Sequence, residues 1–425
     1  MHLPPGDETV DLGFAHNILD EIERLTAKYG NTFKVYSPTR KSYTFVTHEP
    51  DHVAHLLVKN NRNYTKGVGI ERVKILLGNG IMVSEGAYWK RQRRMIQPSF
   101  HKKVIENMSR HMQDLNASLL DRWKQQAAKG EPINITQEMS EVTLEVVLRS
   151  LFSVDLPVLQ GTIRPFAMLT EDTGRNLSFA MKFRQLTALV KRVKLDREQS
   201  GRLEADFLSM LMESHDKESG EGMTEKELLD EVMTLIVAGH ETTASVLNFA
   251  WYLIVKNPAI EAKLLEEMAF LEGRLPGFED IPALSYTKQV LQEVMRLYPP
   301  GWMLTRRAIA DDHLGEYDIP AGSDVFLIPY LIHRRADIWQ EPEAFLPERF
   351  TAEREKERHK FAYFPFAAGP RQCIGDFFAM VEMQLHIASI LPALQLLREE
   401  GLPTLEPQIN LRTTSDLLFS PQLRA

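Results

Sequence analysis

The chain has 425 residues, and its 50 Lys and Arg against 58 Asp and Glu give a net charge of −8, which argues against a nucleic-acid binder. With 44% apolar and 25% charged residues the composition is that of a globular protein, and the single cysteine excludes an intrachain disulfide, an iron–sulfur cluster and a multi-cysteine zinc site. The N-terminus MHLPPGDETVDLG lacks signal-peptide features, and there is no apolar run of about 18 residues, so we expect a soluble, cytoplasmic protein.

The predicted elements begin with two strands, TFKVYS and SYTFVTH, around the turn SPTRK, a pattern typical of a hairpin. From about residue 87 to residue 300 the apolar period is mostly helical. Strand-like sequence follows over roughly 304–332, a last helix is expected after Cys373, and the end, NLRTTSDLLFS, is predicted to form a hairpin. The sequence therefore indicates one domain over residues 1–425, of the α+β class, predominantly helical, with a small β-sheet region.

One helix is predicted to be unusually long. Thr224 and Glu227 form the capping-box pattern T-x-x-E, and Asn257-Pro258 should end the helix. Apolar residues recur between these signals, which predicts roughly 32 helical residues, or about 48 Å at 1.5 Å per residue. Such a helix crosses a large domain, so its middle should be buried.

The middle of this helix reads AGHETTAS, and several of its residues are unfavourable in a buried helix. Gly239 costs about 1 kcal/mol relative to alanine, Glu241 brings a charge, and Thr242 can donate to the carbonyl of Ala238. These features indicate a functional site in which Gly239 leaves room for a flat group. The alternative is a helix that reaches the surface and exposes a solvated His-Glu-Thr face. A zinc-protease motif is excluded, because position 244 is alanine and not the second histidine of H-E-x-x-H.

Glu293 and Arg296 lie in LQEVMRLYPP at i, i+3 spacing, which places them on one face of a helix. The apolar flanks indicate burial, and a buried arginine needs several acceptors for its five donors. Glu348 and Arg349 of AFLPERF lie near another turn. The alternative is an exposed helical pair of little energetic weight.

The lone Cys373 lies between GPRQ and IG, just before a predicted helix. Amide donors at a helix start, with Arg371 nearby, favour a thiolate. A thiolate can be a nucleophile, for which His333, His359 and His386 are candidate partners in no recognisable protease context, or it can be a proximal ligand of heme iron. The third reading is a buried, inert cysteine.

Four segments resemble the cytochrome P-450 family of heme-thiolate monooxygenases. The family's heme loop, F-x-x-G-x-R-x-C-x-G, matches residues 366–375, and its central-helix motif, [AG]-G-x-[DE]-T, matches residues 238–242. The family's E-x-x-R triad is completed by Arg349 in PERF, and its W-x-x-x-R pair matches Trp89 and Arg93. The order and spacing agree over essentially the whole chain, which is therefore identified as a member of this family.

The resemblance implies heme b (iron protoporphyrin IX) as cofactor, with Cys373 as the axial ligand of its iron. Phe366 would shield the sulfur, the glycines would let backbone and heme approach, and arginines with Trp89 would bind the propionates. The other residues implied to contact heme are Trp89, Arg93, Ala238, Gly239, Arg306 (or the adjacent Arg307), Phe366, Gly369, Arg371 and Gly375. Glu241 and Thr242 would relay protons to dioxygen, and Glu293, Arg296 and Arg349 would form a structural network.

The implied activity is an oxidoreductase that inserts one oxygen atom from O2 into a lipophilic organic substrate, by hydroxylation or epoxidation. The alternatives are a peroxygenase or isomerase on the same fold, for which Glu241 and Thr242 are not needed, and a non-catalytic heme-binding sensor or carrier. Because the sequence contains no fused flavin or ferredoxin domain, we expect an external electron donor, a ferredoxin or flavodoxin with its reductase. A basic cluster beside Trp89 is the expected docking surface, with a solvated helix face as the alternative; it consists of Lys90, Arg91, Arg94, Lys102 and Lys103.

The substrate pocket is predicted only by position relative to the family motifs. Its expected walls are Val68, Ile81, Val83, Leu235, Ala238, Trp302, Met303 and Thr414, with Trp302 narrowing the space over the heme. These walls suit a fatty acid, terpenoid, steroid or polyketide, and AGHETT and MRLYPP are similar to fatty-acid-hydroxylating members. The segment 155–205, where the family places two helices over the substrate channel, is short, which indicates either a trimmed lid or residues absent from the chain.

Overall fold

The computed structural model describes residues 1–12, 17–38, 40–157, 177–398 and 403–424. Two compact units are present. The first comprises Met1–Ile70, Gln289–Cys373 and Leu402–Ser415, and the second comprises Glu71–Lys288, Ile374–Gly401 and Asp416–Ala425. The single domain expected over residues 1–425 stays a prediction.

The helix-rich α+β class predicted from the sequence is confirmed. The described helices are α1 (Ile18–Tyr29), α2 (Pro50–Ala54), α3 (Ile70–Leu77), α4 (Gly86–Ile96), α5 (Lys102–Lys129), α6 (Ile135–Phe152), α7 (Leu177–Ser200), α8 (Phe207–Met212), α9 (Glu225–Lys256), α10 (Pro258–Met268), α11 (Ser285–Leu297), α12 (Pro329–Ile332), α13 (Ala352–Glu357) and α14 (Asp376–Ile390). The described strands are β1 (Gly6–Asp7), β2 (Thr32–Ser37), β3 (Ser42–Thr47), β4 (Tyr64–Lys66), β5 (Ile133–Asn134), β6 (Leu304–Ala308), β7 (Asp312–Leu314), β8 (Tyr317–Ile319), β9 (Asp324–Leu327), β10 (Leu394–Leu397), β11 (Leu405–Pro407), β12 (Leu411–Thr413) and β13 (Leu418–Leu423). Within these described residues, none of the helices combines the length and apolarity needed to cross a bilayer.

The first unit is built on a six-stranded sheet with the order β1-β2-β3-β9-β6-β4. The predicted hairpin is confirmed: β2 and β3 pair antiparallel, from Thr32 opposite Thr47 to Ser37 opposite Ser42. Successive side chains of a strand point to opposite faces, and an apolar cluster packs against each face of the sheet. In β9, Phe326 joins one apolar cluster while its neighbours Val325 and Leu327 join another.

Strand pairing near the C-terminus differs from the prediction. A hairpin within NLRTTSDLLFS was expected, but β12 pairs with the preceding β11, across a bend at 408–410. In the second unit, β13 pairs with β10 and β5. The sequence TLEP carries little strand signal of its own, so its pairing with β12 depends on Leu411, which is buried in the core of the first unit.

The second unit is mostly helical, and the predicted long helix is confirmed as α9. Thr224 Oγ1 accepts from the Glu227 N–H, and the Glu227 carboxylate accepts in return from the Thr224 N–H, so the capping box is complete. The helix has 32 residues, and α10 begins at Pro258 as predicted. Its most extensive helical neighbour is α6.

The C-terminal end of α7 is fixed by a buried arginine. Arg197 donates to the carboxylates of Asp155 and Asp206 at 2.7 Å and to Ser209 Oγ at 2.8 Å. This cluster joins the end of α7 to the residues that follow α6 and to α8. Of the short 155–205 segment discussed above, residues 158–176 lie outside the described residues.

In the first unit, Arg296 satisfies all its donors inside the protein. Its Nε and one Nη2 hydrogen donate to the two carboxylate oxygens of Glu293 at 2.7 and 2.8 Å. The remaining hydrogens donate to backbone carbonyls, those of His333 (2.8 Å), Pro342 (2.7 Å) and Ala344 (3.0 Å). Glu293 also accepts from the Nε of Arg349 and from the N–H of Leu346. The structure thus supplies the several acceptors that a buried arginine needs.

We expect Arg296→Ala to lower the free energy of unfolding by about 3–5 kcal/mol, because it removes the bidentate partner of the buried Glu293 carboxylate and the donor to three carbonyls. Arg296→Lys should recover little of this loss, since an ammonium offers three donors rather than five. Denaturant unfolding of both variants measures the effect. Arg354→Ala, on the exposed helix α13, is the matched control and should change stability by less than about 0.5 kcal/mol. Equal stability of Arg296→Ala and this control would contradict the argument.

Candidate active site

In the first unit, the segment before Cys373 forms a tight closed loop. The Cys373 N–H donates to the Phe366 carbonyl at 2.9 Å, and the Gln372 N–H donates to the Gly369 carbonyl at 3.1 Å. The loop needs two left-handed residues, Ala367 at φ 58° and Gly369 at φ 72°. The Cys373 side chain is exposed at the end of this loop. The reading of Cys373 as a buried, inert cysteine is therefore wrong.

Gly369 is required by its neighbours within the loop's own unit. A Cβ at this position would overlap the carbonyl oxygen of Leu57, in the π-helical turn His55–Lys59. The positive φ makes any L side chain unfavourable as well. The sequence assigned this glycine to close approach of the heme, whereas the structure shows that Leu57 also requires it.

His333 anchors the start of the loop. Its Nε2 accepts from the Phe364 N–H at 3.2 Å, and its carbonyl accepts from Arg296. Burial beside Arg296 lowers the pKa of His333 to about 3, so the ring is neutral and can act as this acceptor. The sequence suggested His333 only as a candidate partner for a nucleophilic thiol. Its bond to the Phe364 backbone depends on folding and left no local signal.

Two adjacent arginines on β6 have different roles. Arg307 donates to both carboxylate oxygens of the buried Asp324, at 3.1 and 2.9 Å. Arg306 is half-buried and donates to the Thr305 carbonyl at 2.8 Å. Since successive side chains of a strand point to opposite faces, Arg307 is committed to the sheet and Arg306 is the better propionate candidate. Arg371 is half-buried in the loop.

The predicted pocket residues of the first unit do not form one wall. Trp302 is a core residue rather than a pocket wall: it is 2% exposed, and its indole N–H donates to the Gln408 carbonyl at 2.8 Å. Val68 and Met303 are half-buried against the same apolar cluster. Thr414 is exposed. The position after the double proline was therefore assigned to the wrong environment, because sequence distance from a motif does not fix side-chain direction.

In the second unit, the centre of α9 is less covered than its flanks. Leu235, Ala238, Glu241 and Thr242 are half-buried, whereas residues 243–254 are buried without interruption. Thr242 Oγ1 donates to the Ala238 carbonyl at 2.9 Å, as the sequence predicted. The helix thus presents one partly open face carrying an alcohol and a carboxylate side by side.

Gly239 lies at the edge of that open face: it is half-buried, and a side chain at this position would point toward α6. A Cβ on Gly239 would lie 2.9 Å from Cγ2 of Val147, so the missing side chain makes room for α6. Helix packing therefore gives a reason for the glycine that the sequence did not show, and its contact with a flat group stays a prediction. His240 is also buried, so the open face is not a solvated His-Glu-Thr surface.

The other predicted heme contacts of the second unit lie on α4 and at the start of α14. Trp89 and Arg93 are one turn apart on α4; Trp89 is buried, and Arg93 is half-buried with its Nε 3.3 Å from Gln97 Oε1. Gly375 is the N-cap of α14, and a Cβ there would make an ordinary 3.6 Å contact with Phe100. Packing within this unit therefore does not require glycine at 375. Ile81 and Val83 are buried, and Leu235 is half-buried.

The predicted basic docking cluster is smaller than the sequence suggested. Arg91 pairs with Glu227 at 2.8 Å, and Arg94 pairs with Asp216 and Glu218, both at 2.9 Å. These arginines are neutralised by acidic side chains that are distant in sequence, which the local pattern could not reveal. Three exposed lysines of the cluster remain: Lys90, Lys102 and Lys103.

Proteins with similar sequences identify the family of this chain. A family model described as cytochrome P-450 matches residues 9–196 and 162–418. Cyclooctatin synthase of Streptomyces melanosporofaciens is 36% identical over 362 residues, which span 80% of this chain and 78% of the relative. Cyclooctat-9-en-7-ol 5-monooxygenase of the same organism is 33% identical over 82% of this chain and 79% of its own length.

The fold of the chain is also found among solved structures. The crystal structure of a cytochrome P-450 heme domain superposes with a TM-score of 0.87 at 23% identity, covering 100% of this chain and 99% of that one. At this identity the likeness establishes the fold, while the family rests on the sequence matches. The chain belongs to the cytochrome P-450 family of heme-thiolate monooxygenases.

Proposed function

We propose that this monooxygenase oxidises a lipophile with an unsaturated hydrocarbon skeleton, using heme b held by Cys373 and electrons from a separate ferredoxin or flavodoxin with its reductase. The observation that carries the proposal is the exposed thiol of Cys373 at the end of a loop that hydrogen bonds fix in place. The cytoplasmic location expected from the sequence stays a prediction.

The residues present fit a large, flat, mostly apolar group with two carboxylates. A lone cysteine in a domain of this size is usually buried, whereas Cys373 is exposed and follows three half-buried apolar residues, Phe366 to Ala368. An apolar group over these residues would remove their surface from water. A thiolate can bind heme iron, and guanidinium groups can donate paired hydrogen bonds to the two heme carboxylates.

Heme b, when bound, supplies the redox chemistry that activates dioxygen. Cys373 would bind the iron as a thiolate, and Phe366 would cover the sulfur. The small side chain of Ala238 would leave space for the heme beside α9, and Gly375 would leave space for it before α14. Packing against Phe100 does not by itself require a glycine at 375. The residues proposed to hold the propionates are Trp89, Arg93, Arg306 and Arg371.

Thr242 and Glu241 are proposed to deliver protons. Because the Thr242 hydroxyl hydrogen is directed to the Ala238 carbonyl, the lone pairs of Oγ1 are left to accept a hydrogen bond from a water molecule. Thr242 would thus orient that water. Glu241, on the same half-buried face, would exchange protons with it. A peroxygenase or isomerase has no need of this pair.

The relatives bear on the class of substrate. The name of one relative gives its substrate as cyclooctat-9-en-7-ol, an unsaturated alcohol. We propose a substrate of this chemical kind, within the terpenoid class, in preference to the fatty acid that the AGHETT and MRLYPP motifs suggested. The half-buried Leu235 and Ala238 on α9 are apolar surface suited to a hydrocarbon.

Cys373→His should abolish the strongly red-shifted Soret band of the reduced carbon monoxide complex, because that band requires thiolate ligation. Iron and porphyrin content are measured in parallel, so that a lost band is separated from lost heme. If the variant kept the red-shifted band with a full complement of heme, Cys373 would not be the ligand.

Thr242→Ala should divert electrons from product to peroxide and lower product yield by about 100-fold, the lower end of general acid–base contributions. Peroxide and product are quantified per electron pair consumed. Thr242→Ser should retain most of the coupling. The matched control is Thr243→Ala, since Thr243 makes the same kind of back-bond, at 3.1 Å to Gly239, but is buried.

Full coupling in Thr242→Ala would instead favour the peroxygenase or isomerase reading, and no oxidised product with any donor would favour a sensor or carrier.

Reversing the charge of Lys90 and Lys103 together should slow reduction by an acidic carrier by about tenfold at low ionic strength, because steering by the lysines is lost. The effect should shrink as salt rises above about 0.1 M. Stopped-flow reduction with a ferredoxin and with a flavodoxin measures it. Lys124→Glu with Lys129→Glu, toward the far end of α5, is the control. Equal rates for the two double variants at every salt concentration would rule out docking at this cluster.

A further inference from the structure

Two adjacent carboxylates of α9 hold the backbone of residues 78–84. Asp230 Oδ2 accepts from the Asn79 N–H at 2.8 Å, and Glu231 Oε2 accepts from the Ile81 N–H, also at 2.8 Å. The two differ in environment: Asp230 is half-buried and pairs with Lys226, whereas Glu231 is completely buried. Neither residue belongs to a sequence motif described above.

The segment lies directly on the helix. A Cβ on Gly78 would overlap the Asp230 carboxylate, and a Cβ on Gly80 would overlap Thr234 Oγ1. The N–H groups of Val83 and Ser84 both donate to the Gly80 carbonyl, at 3.0 and 2.9 Å, which closes a turn around Ile81. The position of this turn is therefore set by its contacts with α9, and Glu231 holds its central amide.

Glu231 lies on the same stripe of α9 as Thr242. The spacing from Glu231 through Leu235 and Ala238 to Thr242 is four, three and four residues, which places all four on one helix face. Eleven residues correspond to about 16 Å along the axis. Leu235 and Ala238 are half-buried, whereas Glu231 is fully covered. The turn around Ile81 thus covers this helix face at Glu231, the end that lies farthest from Thr242.

The charges around Glu231 favour a neutral carboxylic acid. Burial, reinforced by Asp230 and Glu227, raises the pKa of Glu231 to about 8. Lys226 is paired with Asp230, and Arg91 with Glu227. On α4, burial and the negative charges of Glu227, Glu231 and Asp230 raise the pKa of Tyr88 to about 12, so Tyr88 is neutral as well. Residues 78–84 carry no ionisable side chain.

We propose that Glu231 is a positioning residue that fixes the turn around Ile81 and thereby sets the far end of the substrate site, which determines the length of substrate accepted. The inference rests on the proposed function in one respect: oxidation takes place next to Thr242. A substrate that lies along the Leu235–Ala238 face meets the turn at a fixed distance from the reacting end. If the Glu231 contact is lost, the turn can move and longer molecules fit.

The position of the turn can be measured without any catalytic activity. Hydrogen exchange of the Ile81 amide should be roughly 5- to 10-fold faster in Glu231→Ala, because its only hydrogen-bond acceptor among the described residues is removed. Glu231→Gln keeps a neutral oxygen acceptor and should retain the protection. Glu225→Ala is the matched control, because Glu225 is a half-buried carboxylate at the start of the same helix that pairs with Lys191 and not with residues 78–84.

The pH dependence has a defined sign. Since the pKa of Glu231 in the folded protein lies above the ordinary value of 4.5, its contribution to stability is complete at low pH and is lost as pH rises through about 8. Protection of Ile81, corrected for the intrinsic exchange rate, should therefore fall between about pH 4.5 and about pH 8 in the wild type, level off above that range, and stay level throughout in Glu231→Gln.

Substrate length is tested with a series of linear, unsaturated terpenoid alcohols of increasing chain length, by the spin shift on binding and by kcat and KM. Glu231→Ala should move the preferred chain length upward by two or more carbons and change KM more than kcat, while Glu231→Gln and Glu225→Ala should keep the wild-type profile. Unchanged exchange at Ile81, or faster exchange with an unchanged length profile, would overturn the proposal. Failure of the proposed function is distinguishable, because it would remove oxidation of these terpenoid alcohols from the wild type and leave the exchange result intact.

Discussion

The guanidinium of Arg296 is fully enclosed, so each of its five N–H groups must find an acceptor within the protein. The acceptors come from Glu293 on the same helix and from three carbonyls between residues 333 and 344. The hydrogen bonds of this one side chain therefore hold residues 333–344 in place, a segment that forms turns rather than a regular helix or strand. His333 lies in this segment and holds the Phe364 amide, two residues before the loop that ends at Cys373. The position of the thiol thus depends on a charged group that never contacts it.

Features encoded by neighbouring residues were predictable from the sequence. The Thr224–Glu227 capping box, the β2–β3 hairpin and the Thr242 back-bond each depend on residues a few positions apart, and all are found in the structure. The motif around Cys373 identified the candidate site for the same reason. Such interactions are decided by local geometry before the chain is packed.

Features that depend on partners distant in sequence were missed. Arg91 and Arg94 looked like a docking surface because their acidic partners lie more than a hundred residues away. Gly239 looked like a cofactor contact because Val147 could not be placed opposite it. His333 gave no signal, since its role is to connect two backbone segments. The unpredicted part of the site is thus the part made by tertiary contact.

The neighbouring arginines of β6 also protect the sheet against misassembly. Asp324 is completely buried and is compensated by Arg307 across the β6–β9 ladder, with Arg40 at 3.5 Å. A slip of one residue between these strands would exchange the faces of Arg306 and Arg307. It would leave the Asp324 carboxylate without its bidentate partner in a dry interior, at a cost of several kcal/mol. The register that sets Arg306 and Arg307 on opposite faces of the sheet is therefore stabilised by the Arg307–Asp324 salt bridge.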